Sequence, residues 1–251
     1  MTALRVAMSF RRRRTMVAAV ADGLCVGLLV AALAFPQAVA ARGLGLLSSA
    51  NGPAPATEPL TESGPKRANF LGEPASDDTR QMADWVTASG DNRSLPFVIV
   101  DKVDARVFVF DDHGQLRGAS RALLGLARGD DWAVGIGGRK MSSMRPEERI
   151  TPAGRFVASL GHDTNGHDIL WVDYADAIAL HRVVTSNPKE HRLQRLASPS
   201  PLERRISYGC INVPAQFYDG VVIPAFTGRQ GIAYILPETK SIGQVFSGLS
   251  K

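Results

Sequence analysis

Residues 97–111 read FVIVDKVDARVFVFD. Apart from Asp101 and Lys102 the first seven are apolar and mostly β-branched, Asp104 and Ala105 suit a turn, and Arg106 opens a second run rich in Val and Phe, so the stretch reads as a pair of strands. Asp112-His113-Gly114 supplies the next turn, and a third strand over 116–122 ends before Gly125, completing a meander. Similar short runs bounded by turn formers recur at 169–174, 177–184 and 231–236. With only short helices between them, these runs predict a mainly β domain over residues 95–238.

Toward the N-terminus, Ser76 followed by Asp77 and Asp78 marks a helix start; Met82, Trp85 and Val86 share one face and Gly90 can end it, placing a short helix and its connection in 76–94. Residues 41–75 turn to Pro, Gly, Ala and Ser, with Pro53, Pro55, Pro59, Pro65 and Pro74, and read as a linker. Residues 1–40 read as an export segment: Arg11 to Arg14 precede an apolar stretch, and Ala38-Val39-Ala40 offers small residues for cleavage. The apolar run is also long enough for an uncleaved anchor, with Asp22 its only charge. Either alternative leaves the four arginines cytoplasmic and exports the rest, touching membrane only through this segment. The chain has 251 residues, 45% hydrophobic and 21% charged, and a formal charge of +5. Five of its basic residues lie in 1–40, so the remainder is nearly neutral, and it shows no basic stripe with interleaved aromatics: nucleic acid is not an expected partner.

Toward the C-terminus, 128–150 is broken by glycine, and Gly135-Ile136-Gly137-Gly138 lacks the spacing of a dinucleotide loop. Thr151-Pro152-Ala153-Gly154-Arg155-Phe156 is a turn entering a strand. Asn187 and Pro188 start a short helix, and the proline-broken segment after it makes 187–205 a candidate lid; 239–251 is a tail. Then comes Ser207-Tyr208-Gly209-Cys210-Ile211-Asn212. Gly209 permits backbone geometry that a side chain would block, and Pro214 suits the first turn of a helix whose N–H groups would favour the Cys210 thiolate. Cys25 belongs to the export segment, which leaves Cys210 without an intrachain partner; a reactive thiol is then a better reading than a small buried hydrophobe. A cysteine nucleophile needs a base, and His181 lies in the predicted strand 177–184, whereas His113 and His191 sit in a turn and on a polar helix. His162-Asp163 and His167-Asp168 could bind a divalent metal, but Thr164-Asn165-Gly166 between them reads as a hairpin turn, and no metal is expected.

Taken with the upstream histidine and the Thr-Pro turn, the Cys210 motif resembles the YkuD-type L,D-transpeptidases of bacterial cell walls, over about residues 97–237. The resemblance implies a β-sandwich-like catalytic domain and acyl transfer on peptidoglycan stem peptides, with no cofactor: Cys210 would attack the donor tetrapeptide, release D-alanine and pass the acyl group to an amine. It implies His181 as base, N–H groups of Gly209 and Cys210 as oxyanion donors, and Ser207 and Asn212 as residues that shape the loop. Tyr208 stands where the family usually has the motif histidine, and Arg182 where a small residue is common; the tyrosine could donate a hydrogen bond to substrate or oxyanion. Arg182, Arg204 and Arg205 are candidates to meet stem-peptide carboxylates, with a solvated basic surface the equal alternative. The same dyad could serve a carboxypeptidase or attach a protein to the wall, and a degenerate site would leave a wall-binding module.

Overall fold

Strands β1 (Phe97–Asp101), β2 (Arg106–Phe110) and β3 (Leu116–Arg121) form the expected antiparallel meander. The computed structural model describes residues 66–132 and 135–249, so the export segment and the linker up to residue 65 lie outside the described residues. After the two-residue β4 (Leu124–Gly125) come β5 (Gly154–His162), β6 (Asp168–Asp173) and β7 (Ile178–Arg182), then β8 (Arg205–Ser207), β9 (Ile211–Val213) and β10 (Gly231–Ile235). Eight of them make one mixed sheet in the order β3-β2-β1-β10-β5-β6-β7-β9, while β4 and β8 pair separately in parallel. The outer ends of the large sheet meet, because Leu123, just past β3, exchanges backbone hydrogen bonds of 2.8 and 2.9 Å with Asn212 of β9. Two edges that would otherwise offer unpaired N–H and C=O groups are thereby joined. The domain is mostly sheet with few helices, and one curled sheet takes the place of the two facing sheets expected.

The curl encloses a core of Val98, Val100, Val107, Val109, Leu180, Ile211 and Val213, closed by Tyr218 and Phe226. On the other face of the meander, Phe97, Ile99, Phe108 and Phe110 pack with Tyr234 beneath Met82 and Val86 of helix α1 (Asp77–Ser89). Both faces of β1 are therefore buried, which is why 97–100 reads as an unbroken apolar run rather than an alternation. Ser76 caps α1 by accepting from the Thr79 N–H, and Gly90 ends it at φ 70°.

Two boundaries differ from the sequence reading. The predicted linker runs to residue 75, yet Phe70 is buried edge-on against Phe108 and Phe110, and Asn69 bonds across to Gly114 and Leu116. Burying such a ring contributes about 1.5–3 kcal/mol, enough to hold a proline-rich approach in place. Farther on, the chain forms helices α2 (Arg192–Ala197), α3 (Ala215–Phe217) and α4 (Ile223–Phe226), with a π-helical stretch at Tyr218–Val222 between the last two. Pro224 has no N–H to return to the preceding turn, and the wider spacing falls just before it. The predicted tail carries α5 (Ile242–Val245), and Phe246 packs against Tyr234.

Candidate active site

The cysteine loop is short because strands hold it on both sides: β8 ends at Ser207 and β9 begins at Ile211. Its peptides are fixed individually. Ser207 Oγ donates to the Cys210 carbonyl at 2.7 Å and accepts from the Gly209 N–H at 3.1 Å. Thr151 Oγ1 donates to the Gly209 carbonyl at 2.8 Å and accepts from the Gly125 N–H at 2.8 Å. Gly209 sits at φ 131°, and a Cβ there would lie 2.7 Å from Ile178 Cδ1 and 2.8 Å from the Ile150 carbonyl oxygen, so the position demands glycine.

Strand register brings His181 to this loop. β7 and β9 run parallel with Leu180 opposite Ile211 and His181 opposite Asn212. Leu180 and Ile211 both enter the inner core, so by alternation His181 and Asn212 share the opposite face, and Asn212 Nδ2 reaches back to the Cys210 carbonyl just before the strand. His181 Nδ1 lies 2.7 Å from the Arg182 carbonyl oxygen. That oxygen only accepts, so Nδ1 carries the hydrogen and the neutral ring presents Nε2 as its basic atom. The Cys210 sulfur contacts the Ala177 carbonyl at 3.6 Å, in a turn where Ala177 takes φ 57°.

The electrostatics differ from the expectation of a helix-stabilised thiolate. Burial pushes the Cys210 thiol up, against smaller opposing effects from the Ala179 backbone, the Arg192 charge and its own backbone. The three residues of β9 and Pro214 stand between the cysteine and Ala215, where the helical run begins. Burial also lowers the pKa of His181, with Arg192 acting in the same direction. The resting pair is therefore a neutral thiol and a neutral imidazole.

Arg192, which the sequence reading did not single out, is the cation closest in effect to both groups. Its Nη1 donates to Asn212 Oδ1 at 2.8 Å and its Nε to Glu190 at 2.5 Å, while Asn212 Nδ2 donates to the Cys210 carbonyl at 3.2 Å. The candidate lid is thus tied to the loop through one side chain. The arginines proposed from sequence are engaged elsewhere. Arg182 pairs with Asp168 and Asp219 and lies over the Tyr218 ring. Arg204 is buried on the Ser198 and Asp104 carbonyls. Arg205 is buried against Glu238 and the Lys102 carbonyl. The Arg149 guanidinium lies 4.1 Å from the centre of the Tyr208 ring. Of the two expected oxyanion donors, the Gly209 N–H is taken by Ser207, which leaves that of Cys210.

The 162–168 segment is a turn. Asp163 accepts from the Asn165 and His167 N–H groups and from the His167 ring, which hold its pKa at about 2, while Asp168 pairs with Arg182. Among the described residues no group of three His, Cys, Asp or Glu is placed to hold a metal. Nor is any helix among them long and apolar enough to cross a membrane.

No protein-family model and no curated protein matches the chain. Among solved structures it is similar to the helical cell shape determining protein Pgp2 of Campylobacter jejuni, with 14% identity over 64% of this chain and 57% of that one and a TM-score of 0.38. A point mutant of Pgp2 gives 13% identity, 66% and 58% coverage and a TM-score of 0.38. A fused Zn-dependent amidase/peptidase/peptidoglycan-binding domain-containing protein of Clostridium acetobutylicum gives 16%, 66% and 72%, and 0.33. The match spans less than two thirds of the Pgp2 chains.

Proposed function

We propose that the protein is an envelope cysteine acyltransferase of the L,D-transpeptidase type, acting on peptidoglycan stem peptides. The observation that supports this most is the register that sets His181 opposite Asn212, two residues past Cys210, with Nδ1 of the imidazole committed to a carbonyl and Nε2 left basic. In this reading His181 Nε2 takes the thiol proton as the sulfur attacks the carbonyl of the donor peptide. The C–N bond breaks, the imidazolium returns the proton to the departing D-alanine nitrogen, and a thioester remains. An acceptor amine then gives a proton to His181 and attacks the thioester; the new amide forms, and the C–S bond breaks as the sulfur recovers its proton. Tyr208 and the Cys210 N–H border the carbonyl oxygen in this arrangement. Water or a protein amine as acceptor would use the same steps.

Intact-protein mass spectrometry of residues 41–251 with a disaccharide-tetrapeptide donor tests the proposal. The expected result is an adduct of donor minus alanine on wild type and none on Cys210→Ala. Absence of both adduct and released alanine in a folded, reduced sample, with sacculus binding that survives Cys210→Ala, would leave a wall-binding module instead.

A further inference from the structure

We infer that Thr151 is a positioning residue for Cys210: its hydroxyl, braced from behind by Lys102, turns the Gly209–Cys210 peptide so that the Cys210 N–H faces the side of the reacting sulfur. The inference rests on reading Cys210 as the nucleophile. Three observations carry it. Thr151 is fully buried, and its single hydroxyl serves two backbones at once, the Gly125 N–H and the Gly209 carbonyl, each at 2.8 Å. In a trans peptide the C=O and N–H lie in one plane and point in opposite directions, and no cis bond occurs among the described residues; drawing the Gly209 oxygen inward therefore sends the Cys210 N–H outward. Finally, Thr151 cannot drift. Lys102 Nζ, with a side chain wholly out of solvent, donates to the Thr151 carbonyl at 2.9 Å, to the Gly129 carbonyl at 2.5 Å and to Asp130 at 2.7 Å. The Ala153 N–H is fixed to the Asp130 carbonyl at 2.9 Å, and a Cβ on Gly125 would meet the Thr151 nitrogen at 2.6 Å, which shows how closely the three segments are stacked. Ser207 adds the complementary constraint by occupying the Gly209 N–H, so within the Gly209-Cys210 pair the cysteine amide is the donor left to meet a developing oxyanion in this reading.

The test separates chemistry that builds an oxyanion from chemistry that does not. Thr151→Val keeps the shape and removes the hydroxyl; Thr151→Ser keeps the hydroxyl. Each is compared with wild type for acylation of Cys210 by p-nitrophenyl acetate and by the tetrapeptide donor, and for alkylation by iodoacetamide, with circular dichroism confirming the fold. Loss of one oxyanion-hole donor costs about 10²–10³ in rate. Thr151→Val is expected to lose acylation on that order with either donor, to keep alkylation within about threefold, and to be rescued by Thr151→Ser. Equal acylation by wild type and Thr151→Val overturns the inference, as does parallel loss of alkylation and acylation, or a wild type inert to both donors. A wild type that takes the activated ester but not the tetrapeptide, with Thr151→Val impaired toward the ester, would sustain the positioning role and remove the stem-peptide reading.

Discussion

Desolvation shifts Cys210 and His181, each half-buried, away from charge, so both rest neutral and in the proposed mechanism the proton moves only when substrate arrives. The sign of each shift gives a pH signature. A thiol raised above its ordinary value holds less thiolate at neutral pH than free cysteine, so alkylation of Cys210 should be slower than that of free cysteine at pH 7 and keep climbing beyond pH 9. An imidazole lowered below 6.5 stays a base to more acid pH, which moves the acid limb of acylation below that value. His181→Ala should cost more than tenfold in acylation at pH 7. An alkylation plateau below pH 7 would show a preformed thiolate–imidazolium pair and count against this account.

At the scale of elements, the lid is attached to the catalytic loop mainly through Arg192, which bonds Asn212 and Glu190. Inside the lid, Ser198 bonds Glu203 and Arg195 reaches the Glu190 and Glu203 carbonyls, while Arg121 holds the Ala197 carbonyl and Arg204 and Arg205 anchor the C-terminal end to the domain. Arg192→Ala is expected to raise amide exchange across 188–197 while leaving β5 and β6 unchanged; exchange equal to wild type would place the latch elsewhere. The strands were legible where both faces are apolar, as in 97–110, and α1 was legible from its two caps. β8 and β9 were not, because three residues around a motif carry no period, and their strand character comes from partners at Leu124, Gly125 and Leu180 that are distant in sequence. The cysteine, its glycine and His181 could be read from residue chemistry alone. The Arg192 contact depends on how the lid folds back, and the arginines at 182, 204 and 205 look equally available in sequence while the fold engages each of them.

The whole domain is braced by one buried charge cluster in which Lys102 meets Asp130 and Glu238, and Glu238 meets Arg205. Removing one member of a buried ion group costs about 3–5 kcal/mol, because the remaining charges keep their desolvation penalty without their partner. Lys102→Met should lower stability by about that amount, read from denaturant midpoints. Hydrogen bonds from Lys102, Thr239 and the backbone at 238 and 240 hold Asp130 well below the ordinary carboxylate range against the effect of burial. A depressed carboxylate contributes stability that is fully present above about pH 4 and is lost as pH falls toward its folded value. Thermal midpoints should therefore drop on acidification below pH 4, and less steeply in Lys102→Met; a wild-type midpoint that is flat from pH 5 to 2 would remove the cluster from this role. The sheet order has its own consequence. β10, last of the strands in sequence, lies fourth in the sheet, between β1 and β5. β1 and β5 are bridged only when that last strand slots in, so until then the sheet stays open on that side and its halves are held together only at the Leu123–Asn212 junction and the β4–β8 pair. Sealing of the curled sheet is thus a late event, left to the final stretch of polypeptide to be delivered.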